Sequence, residues 1–134
     1  MFISEKEALR KLLEKLNEKA RTAILIVEGK KDAEALEPLV DADFFLLQDI
    51  KKSLYESAEK IAIKHKKAIL LLDADPKGKE LTRKMTSYLR QNGVSVDSKI
   101  GLKLLKIAKC RTIQGLRRTI KQTLIESNDS IGRI

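Results

Sequence analysis

Apolar residues recur along this chain in two rhythms. Unbroken apolar runs occupy Ala23 to Val27 and Ala68 to Leu72, with shorter strand-like stretches at Phe44 to Leu47 and Val94 to Val96. A strand that is apolar throughout is covered on both faces, which is the habit of parallel sheets. Helical spacing fills the intervals. Leu9, Leu12, Leu13, Leu16 and Ala20 share one face of a helix over residues 4–20, and Ser4-Glu5-Lys6-Glu7 has the form of a capping box at its start. Asp32 to Leu39 reads as a short helix ended near Pro38. Ser53-Leu54-Tyr55-Glu56 is a second capping box, opening a helix that turns Leu54, Ala58, Ile61 and Ala62 inward. Gly78 to Gln91 is a helix with Leu81, Met85, Tyr88 and Leu89 on one side, and Asn92-Gly93 supplies its left-handed stop. Ile100 to Lys109 is helical again, as is the series Ile113, Leu116, Ile120 and Leu124.

Strands alternating with helices predict a three-layer α/β fold around a mostly parallel, four-stranded sheet. Right-handed crossovers let the second strand lie on one side of the first and the third on the other, leaving a switch point between strands one and three. The chain reads as one domain over residues 1–134. Its core covers about 23–97, preceded by the helix at 4–20 and followed by a basic helical extension at 98–126. Ser127 to Ser130 is expected to fray.

At 134 residues the chain can bury a real core. Its apolar runs fall far short of the ~20 residues that span a bilayer, and Met1-Phe2-Ile3-Ser4 begins no signal peptide. A cytoplasmic location without membrane contact is the expectation. Cys110 stands alone, so neither an internal disulfide nor a cysteine-built zinc site is available. The net charge of +9 is uneven: from Lys99 onward, lysines and arginines are opposed only by Glu126 and Asp129. Such asymmetry points to a polyanionic partner, because each neutralised phosphate releases condensed counterions.

Chemistry concentrates where two apolar runs end. Val27-Glu28-Gly29-Lys30-Lys31-Asp32 follows the first strand, and Leu72-Asp73-Ala74-Asp75-Pro76-Lys77-Gly78-Lys79 follows the third. Open α/β sheets place ligands beyond the carboxyl ends of strands beside a switch point. Glu28 and Asp73 would face each other across that crevice, with Asp75 just beyond. Carboxylate oxygens without a nearby histidine or thiolate suit Mg²⁺ or Mn²⁺, and such a metal would polarise a phosphoryl oxygen. Asp73 and Asp75 hold the metal in this reading. Glu28 completes the metal shell or serves as general acid or base. Asp32 braces the loop or caps the following helix. Lys30, Lys31, Lys77 and Lys79 grip flanking phosphates, and Gly29 and Gly78 let backbone approach the substrate.

At these two motifs the chain resembles a Toprim domain, the module shared by bacterial-type primases, type IA and type II topoisomerases, OLD-family nucleases and the ribonuclease that matures 5S ribosomal RNA. That family is marked by a glutamate-glycine ending one strand and an Asp-x-Asp ending a later one, here Glu28-Gly29 and Asp73-Ala74-Asp75, and the resemblance covers about residues 23–96. It implies a Toprim-like (Rossmann-like) fold and Mg²⁺-dependent phosphodiester chemistry or nucleic-acid binding, with Glu28, Asp73 and Asp75 as the key acids. The length leaves no room for a primase's further domains, and Tyr55 and Tyr88 lie in core helices rather than serving as nucleophiles. Small stand-alone Toprim proteins are the nearest in size.

The remaining candidates are cationic. Lys99, Lys103, Lys106 and Lys109 recur at helical spacing, and Arg117, Arg118 and Lys121 make a second group. Both would follow a nucleic-acid backbone; the alternative is a solvated face whose aliphatic stems cover the core. Aromatic residues are scarce, so recognition is led by shape and charge rather than base stacking. His65 reads as a surface loop residue and Cys110 as packing. The expectation is a Mg²⁺-dependent nuclease acting on structured RNA in preference to DNA. Its rivals are a non-catalytic accessory subunit of a ribonucleoprotein or replication complex, with a protein partner, and a phosphohydrolase of small nucleotides.

Overall fold

The computed structural model describes residues 3–49 and 53–122. Four parallel strands, β1 (Ile24–Val27), β2 (Phe44–Leu46), β3 (Lys67–Leu70) and β4 (Ser95–Asp97), form one sheet in the order β2-β1-β3-β4. Leu25 pairs with Phe44 on one side and Ile69 on the other, and Ala68 pairs with Val96. The helices among the described residues are α1 (Ile3–Ala20), α2 (Lys30–Leu36), α3 (Leu54–Lys64), α4 (Pro76–Gln91), α5 (Ile100–Ala108) and α6 (Ile113–Ile120).

Handedness dictates where these helices go. The step from β1 to β2 moves one way along the sheet, whereas β2 to β3 and β3 to β4 move the other way. A right-handed crossover therefore puts α2 on one face and α3 with α4 on the opposite face. Alternation along the strands serves both layers. Leu25, Val27, Ile69 and Leu71 pack towards the layer of α1, α2, α5 and α6. Ile24, Ile26, Ala68, Leu70 and Leu72 pack with Ala58 and Ile61 of α3 and Met85 and Leu89 of α4.

The N-terminal helix and the basic helices are thus integral to the core as well as charged. Leu9 and Leu16 of α1, Leu104 of α5 and Ile113, Leu116 and Ile120 of α6 are fully buried in one cluster. Each such side chain contributes about 1.5–3 kcal/mol by leaving water. Leu124, the end of the extension at 123–126 and Ser127 to Ser130 lie outside the described residues.

Element ends differ from the sequence reading for identifiable reasons. Ser4 lies inside α1 rather than capping it, since the helix already includes Ile3. Helix α2 starts at Lys30 because Gly29 is its N-cap, and Leu47 turns into a short 3₁₀ segment instead of extending β2. Helix α4 begins two residues before Gly78: Asp75 is the N-cap and Pro76 takes the first helical position, where its fixed φ fits and its missing N–H costs nothing. Ser53 and Glu56 form the expected reciprocal cap on α3. Gly93, with φ of 80°, makes the left-handed stop after α4.

Candidate functional site

The carboxyl ends of β1 and β3 lie side by side, so the two acidic motifs open onto a common cleft. Its volume is about 560 Å³, and Glu28, Lys30, Lys31, Asp32, Asp73 and Gln114 are among the residues lining it. Glu28 follows Val27 directly and is half-buried; its carbonyl accepts the Gln48 N–H at 2.9 Å, which ties β1's exit to the turn after β2. Asp32, in the first turn of α2, is buried. One of its oxygens accepts the Gly29 N–H at 3.1 Å, and the other accepts from the Gln114 side-chain amide at 3.3 Å.

Asp73 is held from the opposite direction. The backbone N–H of Ile113, the first residue of α6, donates to its Oδ1 at 2.8 Å. One residue on, the Ala74 N–H donates to the Arg111 carbonyl at 2.7 Å. The loop after β3 is therefore laced to the connection before α6, and the positive end of the α6 dipole faces the carboxylate. Asp75 stands outside the lining of the cleft: its Oδ1 accepts the Gly78 N–H at 2.7 Å and caps α4. Lys77, on the first turn of α4, reaches back to Glu28 with Nζ 3.7 Å from Oε2.

The acids repel one another. Burial pushes the Asp73 carboxyl up, the Ile113 N–H pulls it down, and the charges of Asp32 and Asp75 push it up again, for a net rise above the usual range. Hard carboxylate oxygens with no imidazole or thiolate in the lining fit a divalent cation. Asp73 and Asp75 each commit Oδ1 to a backbone N–H, and among the described residues nothing donates to their Oδ2 atoms. Among the described residues no three acid, histidine or cysteine side chains converge into a ready-made cage, and Glu28 faces Lys77 instead.

The glycines sit where the protein packs closely on itself. A Cβ on Gly78 would stand 2.0 Å from the Asp73 carbonyl oxygen, and one on Gly29 would stand 2.2 Å from the Gln48 side-chain oxygen. Protein atoms fill both spaces.

Of the cations singled out from sequence, Lys30 and Lys31 line the cleft and Lys77 reaches its edge. Lys79 and Lys103 line grooves elsewhere. Lys106, Arg117, Arg118 and Lys121 are exposed on α5 and at α6, while Lys109 turns left-handed after α5 and pairs with Glu5. His65 ends α3. Cys110 packs against the core, and burial pushes its thiol up despite a hydrogen bond with Thr119. Gln48 and Gln114 were not anticipated. Gln114 meets Asp32 across 82 residues, a separation at which local sequence carries no signal.

An acid-ended parallel sheet with this strand order is the architecture of a Toprim domain. The Toprim domain family matches residues 23–123, and the chain belongs to it. Membership brings a nucleic-acid-related, metal-binding role. More particularly, the chain is similar to the UPF0292 protein of Methanocaldococcus jannaschii, 35% identical over 96 residues that span 70% of this chain and 73% of that one. The UPF0292 protein of Thermococcus sibiricus is 34% identical over 119 residues, 87% of this chain and 88% of its own. A solved structure of an Aquifex aeolicus protein superposes with a TM-score of 0.67 at 28% identity, covering 78% of this chain and 94% of that one. No described helix is long and apolar enough to cross a membrane.

Proposed function

We propose that this protein is a Mg²⁺- or Mn²⁺-dependent phosphodiesterase acting on structured RNA. The observation that carries the proposal is the opposition of Glu28 to the Asp73 loop across one cleft, with lysines on its lip. Asp73 and Asp75 would hold the metal through the oxygens they keep free. Bound there, it supplies charge stabilisation for a phosphoryl group. Glu28, released from Lys77, would complete that shell or take a proton from the attacking water. Lys30, Lys31 and Lys77 orient the flanking phosphates, and Asp32, clamped by Gly29 and Gln114, keeps the start of α2 in register with the acids. Lys79, Lys103, Lys106, Arg117, Arg118 and Lys121 extend the cationic surface beyond the cleft.

A second reading draws on the Lys77–Glu28 pair: with Glu28 neutralised, the same surface serves as the nucleic-acid-binding part of a larger assembly without turnover. Cleavage of labelled hairpin RNA and DNA with Mg²⁺ or Mn²⁺, beside Glu28→Gln, separates the two. Metal-dependent cutting of RNA that disappears in the variant supports the nuclease. Binding without cutting by either protein supports the accessory subunit and sinks the nuclease.

A further inference from the structure

Two grooves meet along the β4 edge of the sheet and share no lining residue with the acidic cleft. The larger, about 720 Å³, runs between α4 and the β4–α5 connection and presents Lys79, Arg83, Arg90 and Lys99 among the hydroxyls of Thr82, Ser87 and Ser98. The smaller, about 370 Å³, lies between α1 and the start of α5 and adds Lys15, Lys19 and Lys103. Arg90, Ser98 and Lys99 line both, which makes them one continuous band.

Little opposes this charge. Asp97 is the one acid in either lining, and it is already engaged by the Lys19 side chain and the N–H groups of Lys99 and Ile100. Glu80, on the outer face of α4, pairs with Arg83. Among the described residues no ion pair engages Lys15, Arg90, Lys99 or Lys103. No aromatic ring lines the band, so nothing there stacks on unpaired bases. From Lys79 to Arg90 the helix rises about 16 Å at 1.5 Å per residue, close to five steps of a B-form duplex at ~3.4 Å each. The band begins one helical turn from an acid, since Lys79 lies four residues after Asp75, the N-cap of α4.

We infer that this β4-edge band seats the sugar–phosphate backbone of a base-paired nucleic acid and leads it to the Asp73–Asp75 end of the molecule. The inference rests on the nucleic-acid reading proposed above and assigns its main contact surface to α4, α5 and α1 rather than to α6. The test is the full chain carrying Arg90→Gln, Lys99→Gln and Lys103→Gln, all exposed positions. A reference protein carries Arg117→Gln, Arg118→Gln and Lys121→Gln. Binding of duplex RNA, duplex DNA and a single strand of equal length is measured in EDTA across a salt series, so that turnover plays no part. Removing three phosphate contacts lowers the slope of log affinity against log salt by about 2.7. Between 50 and 200 mM salt, wild-type duplex affinity should therefore fall about 40-fold more than that of the groove variant. An unchanged slope in the groove variant, or the loss appearing in the α6 variant instead, overturns the groove while leaving nucleic-acid binding intact. An equal loss for the single strand overturns base-paired recognition. Absence of wild-type binding to every polymer overturns the underlying functional reading as well.

Discussion

Gly78 and Gly115 occupy the same position in two helices, the third residue after the N-cap, and alanine should act on them with opposite sign. Each glycine donates its N–H to the cap, Asp75 in α4 and Thr112 in α6. Helix propensity alone favours alanine at both by up to ~1 kcal/mol. The surroundings decide otherwise at Gly78, where the new Cβ would sit 2.0 Å from the Asp73 carbonyl oxygen and 2.8 Å from its carbon. Both atoms are backbone, so no rotamer change relieves the clash; α4 must lift from the loop after β3. Such overpacking costs about 1–3 kcal/mol, and displacing the Asp75 cap adds about 1 kcal/mol. Net of propensity, Gly78→Ala should lose about 1–3 kcal/mol, a fall in Tm on the order of 5–10 °C. At Gly115 the nearest atom is the Thr112 hydroxyl at 3.1 Å, on an exposed side chain rather than backbone, and Gly115→Ala should be neutral or slightly stabilising. Urea denaturation of both variants supplies the comparison. A Gly78→Ala midpoint equal to or above that of wild type would refute the close approach of α4 to Asp73.

Two further predictions concern pH. The folded Asp73 carboxyl lies above its unfolded value, so its ionised form costs stability at neutral pH, and that penalty fades as pH falls through the raised value. Asp73→Asn retains an acceptor for Ile113; it should be at least as stable as wild type at neutral pH, with the gap closing in acid, and should lose any Mg²⁺-induced rise in Tm. A variant less stable at neutral pH and no better in acid would contradict this. At Asp97, burial pushes the carboxyl up, but Lys19 and the N–H groups of Ile100 and Lys99 more than offset it, holding it below the usual range. Its contribution is present above the unfolded pKa of ~3.9 and is lost as pH falls through the lower folded value. Asp97→Asn should therefore flatten the acid limb of the stability curve, and an acid limb parallel to wild type in Tm scans would refute that role.

The sheet was legible because burial on both faces leaves an unmistakable mark: Ala23 to Val27 and Ala68 to Leu72 carry no polar interruption. Caps were legible where both partners are local, as with Ser53 and Glu56. Asp75 shows the limit: its type suggests a ligand, and sequence does not add the N-cap bond that its Oδ1 accepts from Gly78. Apolar positions in α5 and α6 announced one buried side each but not the surface they cover, and their charge drew attention outward. The contacts that complete the cleft, Ile113 with Asp73 and Gln114 with Asp32, join residues 40 and 82 positions apart. Side-chain periodicity has no means of encoding such pairings.

That lacing has a consequence for the order in which the molecule is completed. A nascent chain extending only through β4 has all four strands, yet Asp73 has no Ile113 donor and Asp32 no Gln114 partner. The cleft is therefore finished by α6, the last described helix, however early the sheet assembles on the ribosome. A truncated translation product would keep the acids and forfeit their alignment.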